Sequence, residues 1–439
     1  MRDLFVFSIL AFLALAAFRR PQVGILAWIW VTVMVPHRTT YGWLYSFAVN
    51  DLIAIATLLS CLIHWKDRAP VAGNRLTSLL LVFFLWTTAT TFFAVDFELA
   101  YPEWLEFTKS MLLVLLMLLF LNRRHWTIAA VGVFTLSIAF YGVKGGLFTI
   151  ISGGAHHVWG AQGSSWGANN AVSMAMLMCM PLLFAFGGYF DARSTRFAAI
   201  GMAVLCFAAL LGTQSRGGLV GLLGVSAVVL IGAKRKLLAM TVILISLPVG
   251  IAFMPDSWRE RMQTTVNYEE DRSAMGRIEQ WYYAIDIANV RPLFGNGFDA
   301  FFHQPYYLRY LGEGKTNRAV HSNYFQVLGE QGYIGLSIYL SSLAAFFFAA
   351  RKGSKRAIED GDARVGLFLG MAQYSIVGYA VNGLTINMAY LDLYYILVAL
   401  IILLLALSAS DGAQSRKVLN HFKSPKFQNA STIGSHSGT

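Results

Sequence analysis

Apolar runs of fifteen to twenty-odd residues recur along most of this 439-residue chain, separated by short polar turns. A run of about twenty matches the ~30 Å hydrocarbon core of a bilayer, and only helices satisfy every backbone group inside such a run. The pattern therefore predicts an all-α polytopic membrane protein. Its segments fall near 4–18, 22–36, 45–63, 77–95, 105–121, 127–152, 168–189, 197–212, 217–232 and 237–253, then 323–349, 365–384 and 388–408. Each of the first two gives only ~22 Å of helix, shorter than the core. Either one of them is tilted or re-entrant, or the pair makes a single crossing, and about twelve true spans are expected. No small-residue cleavage site follows the first segment, and Arg19, Arg20 and Pro21 come next, so it reads as retained.

One interval breaks this rhythm. Residues 254–320 are polar, and they divide the chain into N-terminal helices (1–253), a large loop (254–320), C-terminal helices (321–410) and a tail (411–439). The tail is rich in Ser, Gly and Asn and is expected to be disordered. Within the loop, RIEQWYYAIDIANV places Ile278, Trp281, Tyr282, Ile285 and Ile287 at helical spacing. It is too polar to span, so it reads as a helix on the membrane surface, with Arg277 at its start. A turn, RPLFGNGFDAF, follows with Pro292, Gly295 and Gly297 as punctuation. The aromatic run FFHQPYYLRY then leads through GEGKTNRAV, with Arg318, into His321 at the start of the next apolar helix. These aromatics stack on sugar faces or form an interfacial belt, the belt being the more frequent outcome.

Composition agrees with the pattern: 56% hydrophobic and 13% charged residues exclude an ordinary soluble protein. A formal charge of +11 suggests a nucleic-acid partner only until its distribution is seen. The basic residues sit in short loops at 64–75, 122–126, 190–196, 232–236 and 350–356, which marks those loops as cytoplasmic. Segments 96–103, 153–167, 213–217, 254–320 and 385–388 are then external. Cys61, Cys179 and Cys206 all fall in apolar segments, which indicates neither a disulfide framework nor a thiolate metal site.

Ionisable groups within spans are costly and are functional candidates by default. Asp51, Lys109, Lys144 and Asp392 qualify; the competing reading is a snorkelling side chain or a helix-ordering pair. Lys144 stands beside Gly145 and Gly146, which would let another backbone approach. At TQSRGG one helix ends and the next restarts at Arg216, where amide donors and a guanidinium fork together suit an anion. On the external loops, Asp96-x-Glu98, the run Glu269-Glu270-Asp271 and His156-His157 are what a metal site would use, although such patterns arise often by chance. Asn169 and Asn170 open a span and either bind sugar hydroxyls or cap that helix.

The order of these features resembles the O-antigen ligase and polymerase superfamily of bacterial envelopes. The residues that carry the resemblance are Ser215-Arg216-Gly217-Gly218, Arg277, Trp281, Pro292 through Phe298, and His321-Ser322-Asn323-Tyr324 with Gln326, Glu330-Gln331-Gly332 and Gly335. The N-terminal part, with FRRPQ and YGVKGG, is similar to putative O-glycosylation ligases associated with exosortase systems. Family members often have His-Asn where this chain has His321-Ser322, with Asn323 one place later.

The resemblance implies a GT-C-like, metal-independent, inverting glycosyltransferase without a cofactor, in the bacterial inner membrane with its site facing the periplasm. It would move a glycan from undecaprenyl diphosphate to a sugar hydroxyl of lipid A-core; relatives use another repeat unit or a protein hydroxyl as acceptor. Arg216 and Arg277 would stabilise the diphosphate leaving group. His321 would act as base on the acceptor hydroxyl, or donate to the diphosphate and leave deprotonation to Glu98 or Glu270. Lys144, Asn170, Trp281, Arg318, Asn323 and Tyr324 are the expected substrate contacts. A transporter, the competing class, commonly shows repeat-related halves, and no internal repeat is visible here.

Overall fold

The structure, a computed structural model, describes residues 1–69, 74–232, 272–313 and 318–422, with isolated positions between 236 and 248. The expected span at 237–253, the first part of the long loop with Glu269, Glu270 and Asp271, and the tail beyond 422 lie outside the described residues. Among the described residues there are helices and no strands. The chain runs α1 (Arg2–Arg19), α2 (Pro21–Met34), α3 (Val49–Ile63), α4 (Arg75–Phe92), α5 (Phe97–Phe120), α6 (Arg124–Ile151), α7 (Asn169–Tyr189), α8 (Arg193–Gly212) and α9 (Arg216–Gly232). The long loop contributes α10 (Arg272–Val290) and the short α11 (Gln304–Tyr310). Then come α12 (Asn323–Glu359), α13 (Ala363–Asn382) and α14 (Asp392–Phe422). The last helix thus continues past residue 411, where a disordered tail was expected.

Six described helices are long and apolar enough to cross a membrane: α4, α6, α7, α8, α12 and α14 as far as Ala409. Three more, α2, α3 and α9, are apolar but shorter. The first two segments form an antiparallel hairpin. Pro21 opens α2 immediately after the extended Arg20. The Arg2 guanidinium lies 5.4 Å over the Tyr41 ring beyond α2, and the far end of α1 is held where Ser60 donates to the Ala17 carbonyl. The pair is therefore two helices running in opposite directions.

The middle of the bundle is α7, packed by α6, α8 and α13 through small residues. Among apolar helices the gain comes from close packing, which small side chains permit. A Cβ at Gly146 would overlap the Leu205 carbonyl, and one at Gly378 would fall 2.9 Å from Leu177. Gly145 and Gly146 do admit the neighbouring helix, as their sequence suggested.

Connections separate into two sets at opposite ends of the bundle. At one end Val158 N–H donates to the Gly212 carbonyl at 2.9 Å, Val95 to Asn296 at 3.0 Å and Asn323 to Gly383 at 2.7 Å. Tyr45 reaches Gln162 there. At the other end Arg124 pairs with Asp362 through two 2.8 Å bonds, and Arg364 with Asp191 at 2.7 Å. The first set joins the segments expected to be external, and the second joins the basic loops.

Candidate active site

The site is built on a broken helix. The backbone of α12 turns out of helical geometry at Gly332, with φ 71° and ψ −174°. A break strands carbonyls of the preceding turn and amides of the following one, and these need partners. The glycine-rich turn of the long loop supplies them. Asn296 and Gly297 N–H donate to the Glu330 carbonyl at 3.0 and 2.8 Å, and Tyr333 N–H donates to the Pro292 carbonyl at 2.8 Å. The Trp86 indole donates to the Gln331 carbonyl at 3.0 Å. Contact between the two backbones leaves no room for side chains: a Cβ at Gly295 would overlap the Glu330 carbonyl, and one at Gly332 would lie 2.6 Å from the Leu293 oxygen. The Asn296 side-chain amide ties in α10 as well. It donates to the Ile287 carbonyl of α10 at 2.8 Å and to the Gly329 carbonyl of α12 at 2.9 Å.

Held this way, α10 lays one face along the residues before α12. The Trp281 indole donates to the Val320 carbonyl at 3.1 Å, and its ring stacks on Phe325 with centroids 5.2 Å apart. Gly276 lies against the Arg318 guanidinium. His321 sits beyond Val320 with φ 52°, a backbone conformation uncommon outside glycine. Its Nδ1 is buried and has no hydrogen-bond partner among the described residues. Burial, then the positive charges of Arg277 and Arg318, hold the imidazole below its ordinary pKa. The arrangement is an imidazole beside two guanidiniums that disfavour its protonation.

Arg216 opens α9 at the α8–α9 corner. Gln214 adopts φ 53° at the α8–α9 corner, and Ser215 caps α9 by accepting the Gly218 N–H at 3.1 Å. Gly217 abuts Thr385 and Gly218 abuts Ser173, so SRGG supplies a cap, a half-buried arginine and two close approaches. Residues 383–389, between α13 and α14, are the common support. Asn323 donates its N–H to Gly383 and accepts the Met388 N–H, and Gln326 accepts the Ala389 N–H at 3.2 Å. The sequence placed 385–388 among the external segments but gave the turn no role, because it carries no charged or catalytic residue type.

The other expected contacts divide. Asn323 is 1% exposed and also donates to the Tyr339 hydroxyl, and the Tyr324 hydroxyl donates to the Ala380 carbonyl at 2.6 Å, so both hold the helix start in place. Asn169 does not cap α7; its amide donates to the Thr213 carbonyl at 3.0 Å, beside half-buried Asn170. Lys144 is exposed on α6, whose adjacent glycines face Val158, Leu205 and Ala209 rather than the Arg277–His321 group. Lys109 pairs with Glu106 at 2.8 Å and with Asp51 at 3.5 Å. These three line one groove with Asp392, which accepts from Ser110 and Ser165. That is the helix-ordering arrangement. Asp96 caps α5 and its second oxygen lies 3.3 Å from His303. Glu98 is exposed, and His157 contacts the Thr213 carbonyl at 3.2 Å.

Comparison with known families gives this geometry a context. Residues 201–340 match the family model described as O-antigen ligase, and residues 1–209 match a family of unknown function. A search of curated proteins found no match. The first matched span contains the α8–α9 corner, α10, the glycine turn, His321 and the break in α12.

Proposed function

With residues 201–340 a segment of the O-antigen ligase family, we propose that the protein is an inverting, metal-independent glycosyltransferase. It takes a glycan from undecaprenyl diphosphate and passes it to a sugar hydroxyl of lipid A-core, at the periplasmic face of a bacterial inner membrane. The observation that carries this reading is His321, whose buried Nδ1 lacks a partner among the described residues and whose pKa is lowered by burial and by Arg277 and Arg318.

Loss of a diphosphate needs charge stabilisation more than protonation, because the leaving group is a stable anion. Guanidiniums supply it through charge-assisted bonds to phosphate oxygens. Arg277 and Arg318 stand at His321, and Arg216 opens α9, where Gly217 abuts Thr385 of the 383–389 turn. An imidazole kept neutral by these cations accepts a proton from the attacking hydroxyl as the new glycosidic bond forms on the opposite face of the anomeric carbon. One site thus accounts for donor activation and acceptor deprotonation.

The test is transfer by purified protein in the presence of EDTA, with lipid A-core in one tube and a second donor molecule in another. Transfer to lipid A-core that survives EDTA and collapses in His321→Ala and Arg277→Ala supports the proposal. Elongation of the donor alone makes the protein a polymerase, and full activity in both variants removes His321 and Arg277 from the chemistry.

A further inference from the structure

On the side of α10 away from Trp281, a groove opens between α10 and α11. Met275, Glu279, Tyr282 and Asp286 follow one another along α10 at helical spacing, and Tyr310 and Leu311 face them. Tyr282 is 66% exposed, whereas Tyr283 beside it is buried with its hydroxyl donating to the Phe301 carbonyl at 3.2 Å. The Arg309 guanidinium lies 5.3 Å over the Tyr310 ring. The groove therefore presents an exposed aromatic face flanked along one stripe by two carboxylates.

We propose that this groove is a subsite for the sugar chain of the donor, taking neutral or amine-bearing sugars beyond the one attached to diphosphate. The assignment rests on the glycosyltransferase reading and adds the place where the glycan lies. A sugar ring offers C–H groups to the Tyr282 face and hydroxyl donors to Glu279 and Asp286, which accept only. The alternative is that Tyr282 anchors α10 in the bilayer interface. Against it stands Asp286, exposed one turn along the same stripe, which an interfacial anchor would carry toward the hydrocarbon together with the Tyr282 ring. Arg277 lies across α10 from the groove, and a helix is ~10 Å thick, so about two or three sugar rings separate the reacting sugar from the subsite.

Two measurements on the full-length protein test this. Transfer is followed with a donor carrying a single sugar and a many-repeat donor, in wild type, Tyr282→Ala and Asp286→Asn. Binding of the water-soluble glycan released from the donor is measured separately by saturation-transfer NMR. The subsite predicts a KM about five- to ten-fold higher for the long donor in each variant, unchanged kcat, an unchanged short-donor reaction and loss of the NMR signal. Equal effects on both donors, or none on either, overturn it. Weaker co-sedimentation of Tyr282→Ala with anionic vesicles, with glycan binding intact, makes the groove a membrane contact and overturns it too. The binding arm needs no acceptor: glycan binding lost in the variants upholds the subsite even where lipid A-core proves to be the wrong acceptor. Intact transfer with unaltered glycan binding sinks the subsite and leaves the ligase reading standing.

Discussion

At the scale of single residues the decisive fact is the charge state of one imidazole. Burial and two guanidiniums hold His321 below its ordinary value, so as pH falls the ring stays unprotonated past the point where a free histidine would charge. The acid limb of kcat/KM should therefore lie below pH 6.5, and Arg318→Gln, which removes one of the two cations, should move it upward. A limb that stays in place in Arg318→Gln would show that another group sets it. His321→Ala should lower kcat by ~10²–10⁴-fold if the ring is the base. Charged residues at the edges of apolar segments made His321, Arg277 and Arg216 visible in the sequence, and the family resemblance suggested their roles. The resemblance also nominated Asn323 and Tyr324 as substrate contacts. Their partners, Met388 and Ala380, lie more than fifty residues away, and no local pattern reveals that a side chain's polar atoms are already occupied.

At the scale of elements the periodicity of the apolar residues located the helices well, since burial in a bilayer demands long apolar runs. It read residues 323–349 as one uninterrupted helix. Apolar residues resume on both sides of Glu330-Gln331-Gly332, so the helical periodicity runs on across the break, and the glycines of the loop read only as turn punctuation. Their interdependence appears when the backbones are seen in contact. Gly332→Ala and Gly295→Ala should each destabilise the protein by more than ~2 kcal/mol, through left-handed φ and overlap with backbone that cannot move aside. Gly361→Ala is the control, with φ +91° and nothing within 4 Å of the added methyl, and should cost about 1 kcal/mol from backbone strain alone. Thermal unfolding in detergent measures all three, and equal losses would contradict the docked arrangement.

At the scale of the whole molecule, the Lys/Arg distribution anticipated which loops meet, because like-sided loops share one end of the bundle. The start of the chain was harder to read. Fifteen apolar residues left open how α1 and α2 lie, and the hairpin between them shows only when Arg2 is seen beside Tyr41. Single cysteines test the two-ended arrangement. Tyr41→Cys and Trp159→Cys should react with an impermeant maleimide from one side of sealed vesicles, and Lys352→Cys from the other. Native Cys61, Cys179 and Cys206 are buried and should give little background. Labelling of Tyr41→Cys and Lys352→Cys from the same side would overturn the arrangement.

The backbone lock between the glycine turn and the broken helix bears on how such proteins can be recombined. A chimaera that exchanged residues 254–320 at the loop's own borders would leave Gly332 with one parent and Gly295 with the other. The junction would then cut through shared hydrogen bonds instead of through a linker. The smallest portable piece is the loop together with the first turns of α12, and grafts cut beyond Gly335 should fold where grafts cut at residue 320 do not.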